Sequence, residues 1–405
     1  MTIKRLLLLT LLCCLTLCAA GAEEAADITK SCTMTAAGKS KNQIQRMRDR
    51  DYDTGMKING GKELVVESKE PISGVMLKFF LEPVPVTLEA EQDGAWVTVG
   101  SMGTHLSDWI AMPEGTTRVR VVNSGETAAS IAEIYVYGAG DRPAMAAAWR
   151  DAEKADILLL SAHPDDEVLW FGGFLPYYAK ERGLTVQVVC ASADESHRRL
   201  ELLDSLWTCG VDVYPYFLNM PDKYRVTLNG IYKAWGKDKY FSALTEAIRR
   251  FKPEVMITQD FGGEYGHGAH MAMADGASQC YLFAADAEKY PESAEAWGTW
   301  EIKKLYIHLW KENPIFLDWS VTLDSFGGET ALSVADRGLH CHQSQGVNSL
   351  WTMEKSEKYN NGEFGLYATT VGVDVVGGDV MEHITTETEA TEAPSLLEQM
   401  LTPVE

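Results

Sequence analysis

Two hydrophobic textures divide the chain. From about residue 27 to 139, short runs alternate apolar and polar positions, as in Glu63-Leu64-Val65-Val66-Glu67, Val86-Thr87-Leu88-Glu89-Ala90, Trp96-Val97-Thr98-Val99 and Arg118-Val119-Arg120-Val121-Val122. A period of two belongs to strands with one buried face, and Gly, Pro and Asp turns without intervening helices predict an all-β jelly-roll sandwich. Gly138-Ala139-Gly140-Asp141-Arg142-Pro143 interrupts this pattern, so residues 140–154 are expected to be a linker. Beyond it the apolar runs become continuous. Ile157-Leu158-Leu159-Leu160, Val186 to Cys190, Val213 to Leu218 and Val255-Met256-Ile257-Thr258 predict strands buried on both faces. Between and after them the pattern predicts helices over 168–182, 197–209, 240–251 and from 268. This alternation predicts an α/β fold with a Rossmann-like, mostly parallel sheet and helices on both faces.

The helix at 197–209 carries leucines at 200, 203 and 206, with Ser196 as its expected N-cap and Gly210 as its stop. Arg198 and Glu201 then fall in the first turn, on the side of the sheet where strands end. No Gly-x-Gly-x-x-Gly follows the strand at 157–160, so a dinucleotide is not expected.

That first strand ends in Ala162-His163-Pro164-Asp165-Asp166-Glu167. Strand ends are where an α/β fold keeps its chemistry. Three adjacent carboxylates raise one another's pKa unless a counter-charge is near, and a divalent metal is such a charge. A metal held there needs another ligand. Gly266-His267-Gly268-Ala269-His270 follows a second buried strand and offers two imidazoles at the first turn of the helix from 268.

These residues resemble the PIG-L / LmbE-like zinc-dependent deacetylases of N-acetylglucosamine compounds, over residues from about 155 to 383. The resemblance implies that His163, Asp166 and His270 are the zinc ligands, with Fe2+ a further candidate metal, and that Asp165 is the general base. It implies that His267 is a second, non-ligating histidine that stabilises the tetrahedral intermediate or protonates the leaving amine. Tyr265 matches a tyrosine placed over the reacting carbonyl, and Arg198 an arginine associated with substrate binding. Three protein ligands would leave zinc an open position for water, and Asp165 would take that water's proton. Family members commonly carry Pro-Asp between the two histidines; here Gly268-Ala269 stands instead, so Glu264 or Asp260 would have to orient His267. His340 and His342 lie in a less distinctive family segment and are expected to point apart on a helix, which argues against a second metal site.

The N-terminal strands resemble the discoidin / coagulation-factor type C, galactose-binding-like modules, through Asp51-Tyr52-Asp53-Thr54-Gly55, Asp93-Gly94-Ala95-Trp96 and Ile131 to Gly138. Such a module implies a possible carbohydrate site at Trp109 or Tyr52, with Trp96 in the core.

Composition sets the surroundings. Lys4 and Arg5, the run Leu6 to Leu17 and Ala20-Gly21-Ala22 predict a signal peptide over residues 1–22 and a secreted or cell-surface protein. Leu17 stands where a lipobox has a small residue before Cys18, so lipidation is not the expected route. Five cysteines remain beyond this leader, without paired spacing, and no disulfide framework is predicted. A formal charge of −22 argues against nucleic acid as a partner. No run beyond the leader predicts a transmembrane span, and the acidic tail over 384–405 is expected to be disordered. Together these predict a secreted zinc deacetylase acting on a glycan or amino sugar, its oligomeric state open. The alternatives are a glycan-binding surface protein with an inactive deacetylase domain, or an amidase acting on a sugar-thiol conjugate.

Overall fold

The computed structural model describes residues 23–346 and 358–385. The expected leader lies outside the described residues, as does the tail from 386. The chain separates into two compact units, one from residues up to 77 with 84–104 and 109–146, the other from 78–83, 105–108 and 147 onward.

In the first unit, β1 (Thr33–Ala36) is followed by α1 (Lys41–Gln45), β2 (Met56–Ile58), β3 (Lys62–Glu67), β4 (Gly74–Phe79), β5 (Val86–Gln92), β6 (Ala95–Met102), β7 (Ser107–Ala111), β8 (Arg118–Asn123) and β9 (Ala129–Tyr137). They form two sheets, ordered β1-β3-β8-β5-β6 and β2-β9-β4-β7. The first is antiparallel throughout, and β2 runs antiparallel to β9. Alternation sets which face is buried: Leu64, Val66, Leu88, Ala90, Val119 and Val121 are fully covered. The outward positions of the same strands carry Arg118 and Arg120, which pair with Glu67, Glu91, Glu63 and Glu89. Trp96, expected in the core, lies instead on this outward row beneath both guanidinium groups, at 5.3 and 4.7 Å. Trp109 packs against the buried cluster of Met76, Tyr137 and Ala146.

The second unit is an α/β layer structure. Its elements are β10 (Ile157–Ser161), α2 (Asp166–Leu169), β11 (Val186–Cys190), α3 (Ser196–Thr208), β12 (Tyr216–Phe217), α4 (Leu228–Trp235), α5 (Lys237–Phe251), β13 (Val255–Thr258), α6 (Gly268–Phe283), α7 (Pro291–Trp297), β14 (Lys304–His308), β15 (Pro314–Phe316), β16 (Thr322–Leu323), β17 (Glu329–Thr330), α8 (Ala331–Leu339) and β18 (Glu363–Thr369). The main sheet has the order β12-β11-β10-β13-β14-β18-β15. The first five strands are parallel, and β18 runs antiparallel to both β14 and β15, so the sheet is mixed. Every residue of β10, β11, β13 and β14 is buried, which requires cover on both faces. The helices supply it in two groups, α2 and α3 packing with α8, and α4 and α5 packing on α6 with α7 against α5.

From β10 the chain builds outward through β11 and β12, then returns to β13 on the other side. The order therefore reverses between β10 and β13, and the crevice beyond the carboxyl ends of strands at such a reversal is where this architecture binds ligands. Both histidine motifs leave the sheet there.

Local departures have local causes. The helix expected over 168–182 is split into α2 and a π-helical turn at Pro176–Glu181. Gly172 between them takes φ +54°, and a Cβ there would stand 2.5 Å from the Trp319 ring, so a regular helix cannot continue through that packing. The strand expected over 213–218 narrows to β12. Helix α3 starts as expected, but Glu195 is its N-cap and the Ser196 hydroxyl is buried without a partner. His340 is the C-cap of α8 and His342 lies past it, so the two are not on a common helix. Among the described residues no helix is long and apolar enough to cross a membrane, and Cys32, Cys190, Cys209, Cys280 and Cys341 are free thiols.

Candidate metal centre

The loop after β10 delivers His163, Asp165 and Asp166 as one constrained turn. Asp165 has φ +109° and ψ −31°, a region that residues with a Cβ rarely occupy. Such strain persists only where surrounding contacts over-determine it, and it clusters at functional sites. Here the contacts are visible. The Asp165 amide donates to Glu167 Oε2 at 2.8 Å, and Glu167 Oε1 accepts from Ser205 Oγ and faces His342 Nε2, both at 2.7 Å. Glu167 is thus turned away into a buried pair with His342, which removes it as a substitute base. On the other side, Arg198 donates to the Pro164 carbonyl at 2.6 Å and to Asp222 Oδ2 at 3.1 Å, and stands 3.7 Å from Asp165 Oδ2. It braces the base loop from the first turn of α3, while Glu201 accepts from the Ser344 amide at 2.8 Å.

Asp166 is the hub. Its Oδ2 accepts the His163 amide at 2.8 Å and lies 3.1 Å from His163 Nδ1 and 3.3 Å from His270 Nε2. Its Oδ1 accepts from Trp170 Nε1 at 2.6 Å. The second loop leaves β13, passes Tyr265 at φ +48° and enters α6 with His267 as N-cap and His270 in the first turn. The Gly268 amide donates to the Arg225 carbonyl at 2.7 Å, which ties the start of α6 to the loop carrying Tyr224. Ring centres of His163 and His267 are 4.7 Å apart, and those of His267 and His270 4.8 Å.

The donors suit a divalent cation. One nitrogen from each of His163, His267 and His270 can be chosen so that all three lie within 4.8 Å of one another. Asp166 adds a carboxylate oxygen beside two of them. His270 Nε2 is buried and lies 3.3 Å from Asp166 Oδ2. His267 is placed where it too can offer a nitrogen, a role the sequence did not predict.

The support behind His270 was likewise not foreseen. Glu264 does not orient His267. Its Oε2 faces His270 Nδ1 at 2.7 Å and its Oε1 faces His308 Nδ1 at 2.6 Å. Asp260 does not serve either, its Oδ2 accepting the Gly262 amide at 3.1 Å. His267 Nδ1 is buried and unpartnered, and the ring is stacked between Tyr224 and Tyr265, at 5.1 and 5.6 Å. Tyr224 is 65% exposed and Tyr265 54%, so aromatic faces rim the centre.

Electrostatics separate the two aspartates. Burial works against the Asp166 charge, but His270 and His163 hold its carboxyl well below the usual range. Asp165 is pushed upward, by burial first and by the Asp166 charge second. One carboxylate stays ionised as a ligand would, and its neighbour is the better proton acceptor. Burial, then the charges of His163 and His270, lower His267 to about 4, so it is neutral at pH 7. Burial, then Asp166 and Asp165, push the Tyr265 phenol up, so it remains a donor. Glu264 is drawn down to about 2 because its hydrogen bonds from His270 and His308 outweigh its burial.

Residues 158–281 match the family model PIG-L: GlcNAc-PI de-N-acetylase. Over this segment the chain is similar to that deacetylase family. The match begins in β10 and ends in α6, so it contains both histidine loops. The chain is 26% identical over 248 residues to the 1D-myo-inositol 2-acetamido-2-deoxy-alpha-D-glucopyranoside deacetylase 2 of Saccharopolyspora erythraea, covering 53% of this chain and 87% of that one. It is 30% identical over 177 residues to the corresponding deacetylase of Rhodococcus erythropolis, covering 36% of this chain and 60% of that protein's length. Among solved structures, the N,N'-diacetylchitobiose deacetylase of Pyrococcus horikoshii is 20% identical with a TM-score of 0.38, covering 59% of this chain and 89% of that one.

Proposed function

We propose that the protein is a secreted, zinc-dependent hydrolase that removes the acetyl group from an N-acetylglucosamine-type sugar or glycoconjugate. The observation that carries this reading is the meeting of two strand-end loops at the sheet's reversal point, one bringing His163, Asp165 and Asp166, the other Tyr265, His267 and His270. In this reading His163, Asp166 and His270 hold the metal, and His267 stands beside them. The N-terminal unit is read as a discoidin-like module that presents the catalytic unit to polymeric glycan. Assaying acetate release from N-acetylglucosamine, chitin fragments and N-acetylated peptides tests the substrate class. Hydrolysis of the peptides alone would overturn the sugar assignment.

A bound divalent metal supplies Lewis acidity to the amide carbonyl and to the attacking water. Asp165, poised by its raised pKa, accepts the water proton as the new carbon–oxygen bond forms. The Tyr265 hydroxyl donates to the carbonyl oxygen as negative charge grows there. His267, neutral in this setting, contributes a hydrogen bond and not a charge. When the carbon–nitrogen bond breaks, the proton held by Asp165 passes to the amine nitrogen, leaving the free amino sugar and acetic acid, which ionises to acetate by losing its proton to solvent or to the released amine.

Two expected results follow from particular groups. Tyr265→Phe removes one oxyanion donor and should lower kcat by about 10²–10³ with metal content unchanged; a rate within threefold of the parent assigns that donation elsewhere. Metal affinity should also depend on pH through His270. Burial disfavours its charged form, yet Asp166 and Glu264 raise it to about 10 in the metal-free chain. Binding through Nε2 displaces that proton, so affinity falls as pH falls, about tenfold per unit below 10. Zinc competition titrations at pH 8 and pH 6 should differ by about a hundredfold, and equal values would remove His270 from the ligand set.

A further inference from the structure

A cleft adjoins the metal centre, and none of the steps above uses it. Its volume is about 550 Å³, and Asp260, Tyr265, Leu309, Lys358 and Tyr359 line it over a floor of glycines, with none of the metal donors among its walls. We propose that this cleft is a subsite for the sugar joined to the N-acetylglucosamine unit, so that the protein acts on an N-acetylated oligosaccharide in preference to the free monosaccharide, a narrowing of substrate class that rests on the function proposed above.

The cleft is built outward from the metal centre. Asp260 follows β13 and Leu309 follows β14, so it continues the crevice beyond the carboxyl ends of the strands. Asp166 accepts from Trp170 Nε1, and the Trp170 ring centre lies 5.9 Å from those of both Tyr265 and Tyr359. The Tyr265 amide donates to the Tyr359 hydroxyl at 3.1 Å, which joins two tyrosines 94 positions apart in the sequence. Tyr265 is therefore shared: its ring stacks on that of His267 at 5.6 Å, and it also lines the cleft. A sugar whose acetamido group sits at the metal centre lies beside Tyr265, and the next sugar enters the cleft.

The walls select a neutral ligand rich in hydroxyl groups. Tyrosine rings offer flat apolar surface to the C–H face of a sugar. Lys358 is exposed, its ammonium 4.8 Å from the centre of the Tyr359 ring, and it can only donate. Asp260 accepts the Gly262 amide at 3.1 Å, and a carboxylate has further acceptor sites. A hydroxyl both donates and accepts, so one sugar can meet both side chains. An apolar substituent would cover Lys358 and Asp260 without replacing their water, which is costly. An anionic one would meet Asp260 in a chain of formal charge −22. The floor permits close approach, since a Cβ on Gly266 would have nothing within 4 Å. The volume falls within the range of about 300–1,000 Å³ common to small-molecule sites.

Initial rates of acetate release from N-acetylglucosamine and from its β-1,4-linked trimer, expressed per N-acetyl group, test the subsite, with calorimetric binding of both sugars alongside. Both kcat/KM and affinity should be about tenfold higher for the trimer, on the order of what one or two hydrogen bonds and a stacked ring contribute. Tyr359→Ala and Lys358→Ala should each lower the trimer-to-monomer ratio about three- to tenfold. Lys358 is exposed, so its variant remains informative even where Tyr359→Ala fails to fold. Tyr359→Phe keeps the ring and loses only the acceptor of the Tyr265 amide, so it should keep the ratio while changing the rate on both sugars. Equal kcat/KM for the two sugars, or a preference that survives both Tyr359→Ala and Lys358→Ala, overturns the proposal. So does a phenyl glycoside of N-acetylglucosamine that gains as much as the trimer, because the cleft would then be reading apolar bulk. Binding needs no turnover. A chain that prefers the trimer in the calorimeter, loses that preference in Lys358→Ala and releases acetate from neither sugar would contradict the deacetylase reading and leave the subsite standing.

Discussion

Asp165→Asn should lower turnover by a hundredfold or more, on the order of what a general base contributes, while metal content stays at the parent level. The substitution isolates chemistry from folding. Asparagine tolerates positive φ better than most residues with a Cβ, so the backbone at +109° is kept. Its amide nitrogen still donates to Glu167, and its side chain keeps the size that fits beside Arg198. What is lost is the ability to take a proton. Asp165→Ala would be a poorer test, because it adds backbone strain to the loss of the carboxylate. Metal analysis and steady-state rates on the same Asp165→Asn preparation decide the matter. Turnover within tenfold of the parent would move the base away from this residue, and Glu167 could not replace it, being committed to Ser205 and His342.

Asp166→Ala should abolish metal binding and also destabilise the metal-free chain by about 3–5 kcal/mol, the usual cost of removing one partner from a buried charged pair. Its carboxylate receives the His163 amide and the Trp170 indole and lies beside two imidazoles, and all of these would be left facing a void. Asp166→Asn separates the two effects. It can keep the Trp170 bond and part of the stability, but it offers a neutral oxygen and should still bind metal far more weakly. Denaturant titration of both variants, with metal analysis alongside, provides the measurement. Full metal occupancy in Asp166→Ala would transfer the ligand role to His267, whose ring already stands 4.8 Å from that of His270.

The sequence exposed the parts whose chemistry sits in consecutive residues. Ile157 to Glu167 announces a strand, a turn and a donor cluster in one stretch, and Gly266 to His270 does the same for the second loop. Alternation in β3, β5 and β8 likewise shows which side chains are covered. Parts built from distant residues were hidden. His308 ends β14, a strand whose Lys304 and His308 mask its full burial, because Lys304 is neutralised by Asp374 and donates to the Glu382 carbonyl. Nothing in a linear reading pairs His308 with Glu264, or His342 with Glu167. Trp96 was misplaced for a related reason: an aromatic residue in a strand reads as core, yet two arginines from β8 cover it on the outer face. Arg198 is legible as a residue near the site, but only the folded chain shows it gripping the Pro164 carbonyl.

The central claim is that two strand-end loops hold a metal and use it to hydrolyse an N-acetyl amide on a sugar. The most direct measurement is acetate release from N-acetylglucosamine and its short oligomers by the purified chain, after chelation and after stoichiometric zinc is returned. The account predicts no release from the chelated protein, restoration with one equivalent of zinc per chain, and one acetate formed for each free amine. Equal acetate release with and without metal, or a zinc-loaded protein that binds these sugars and releases none, would contradict it.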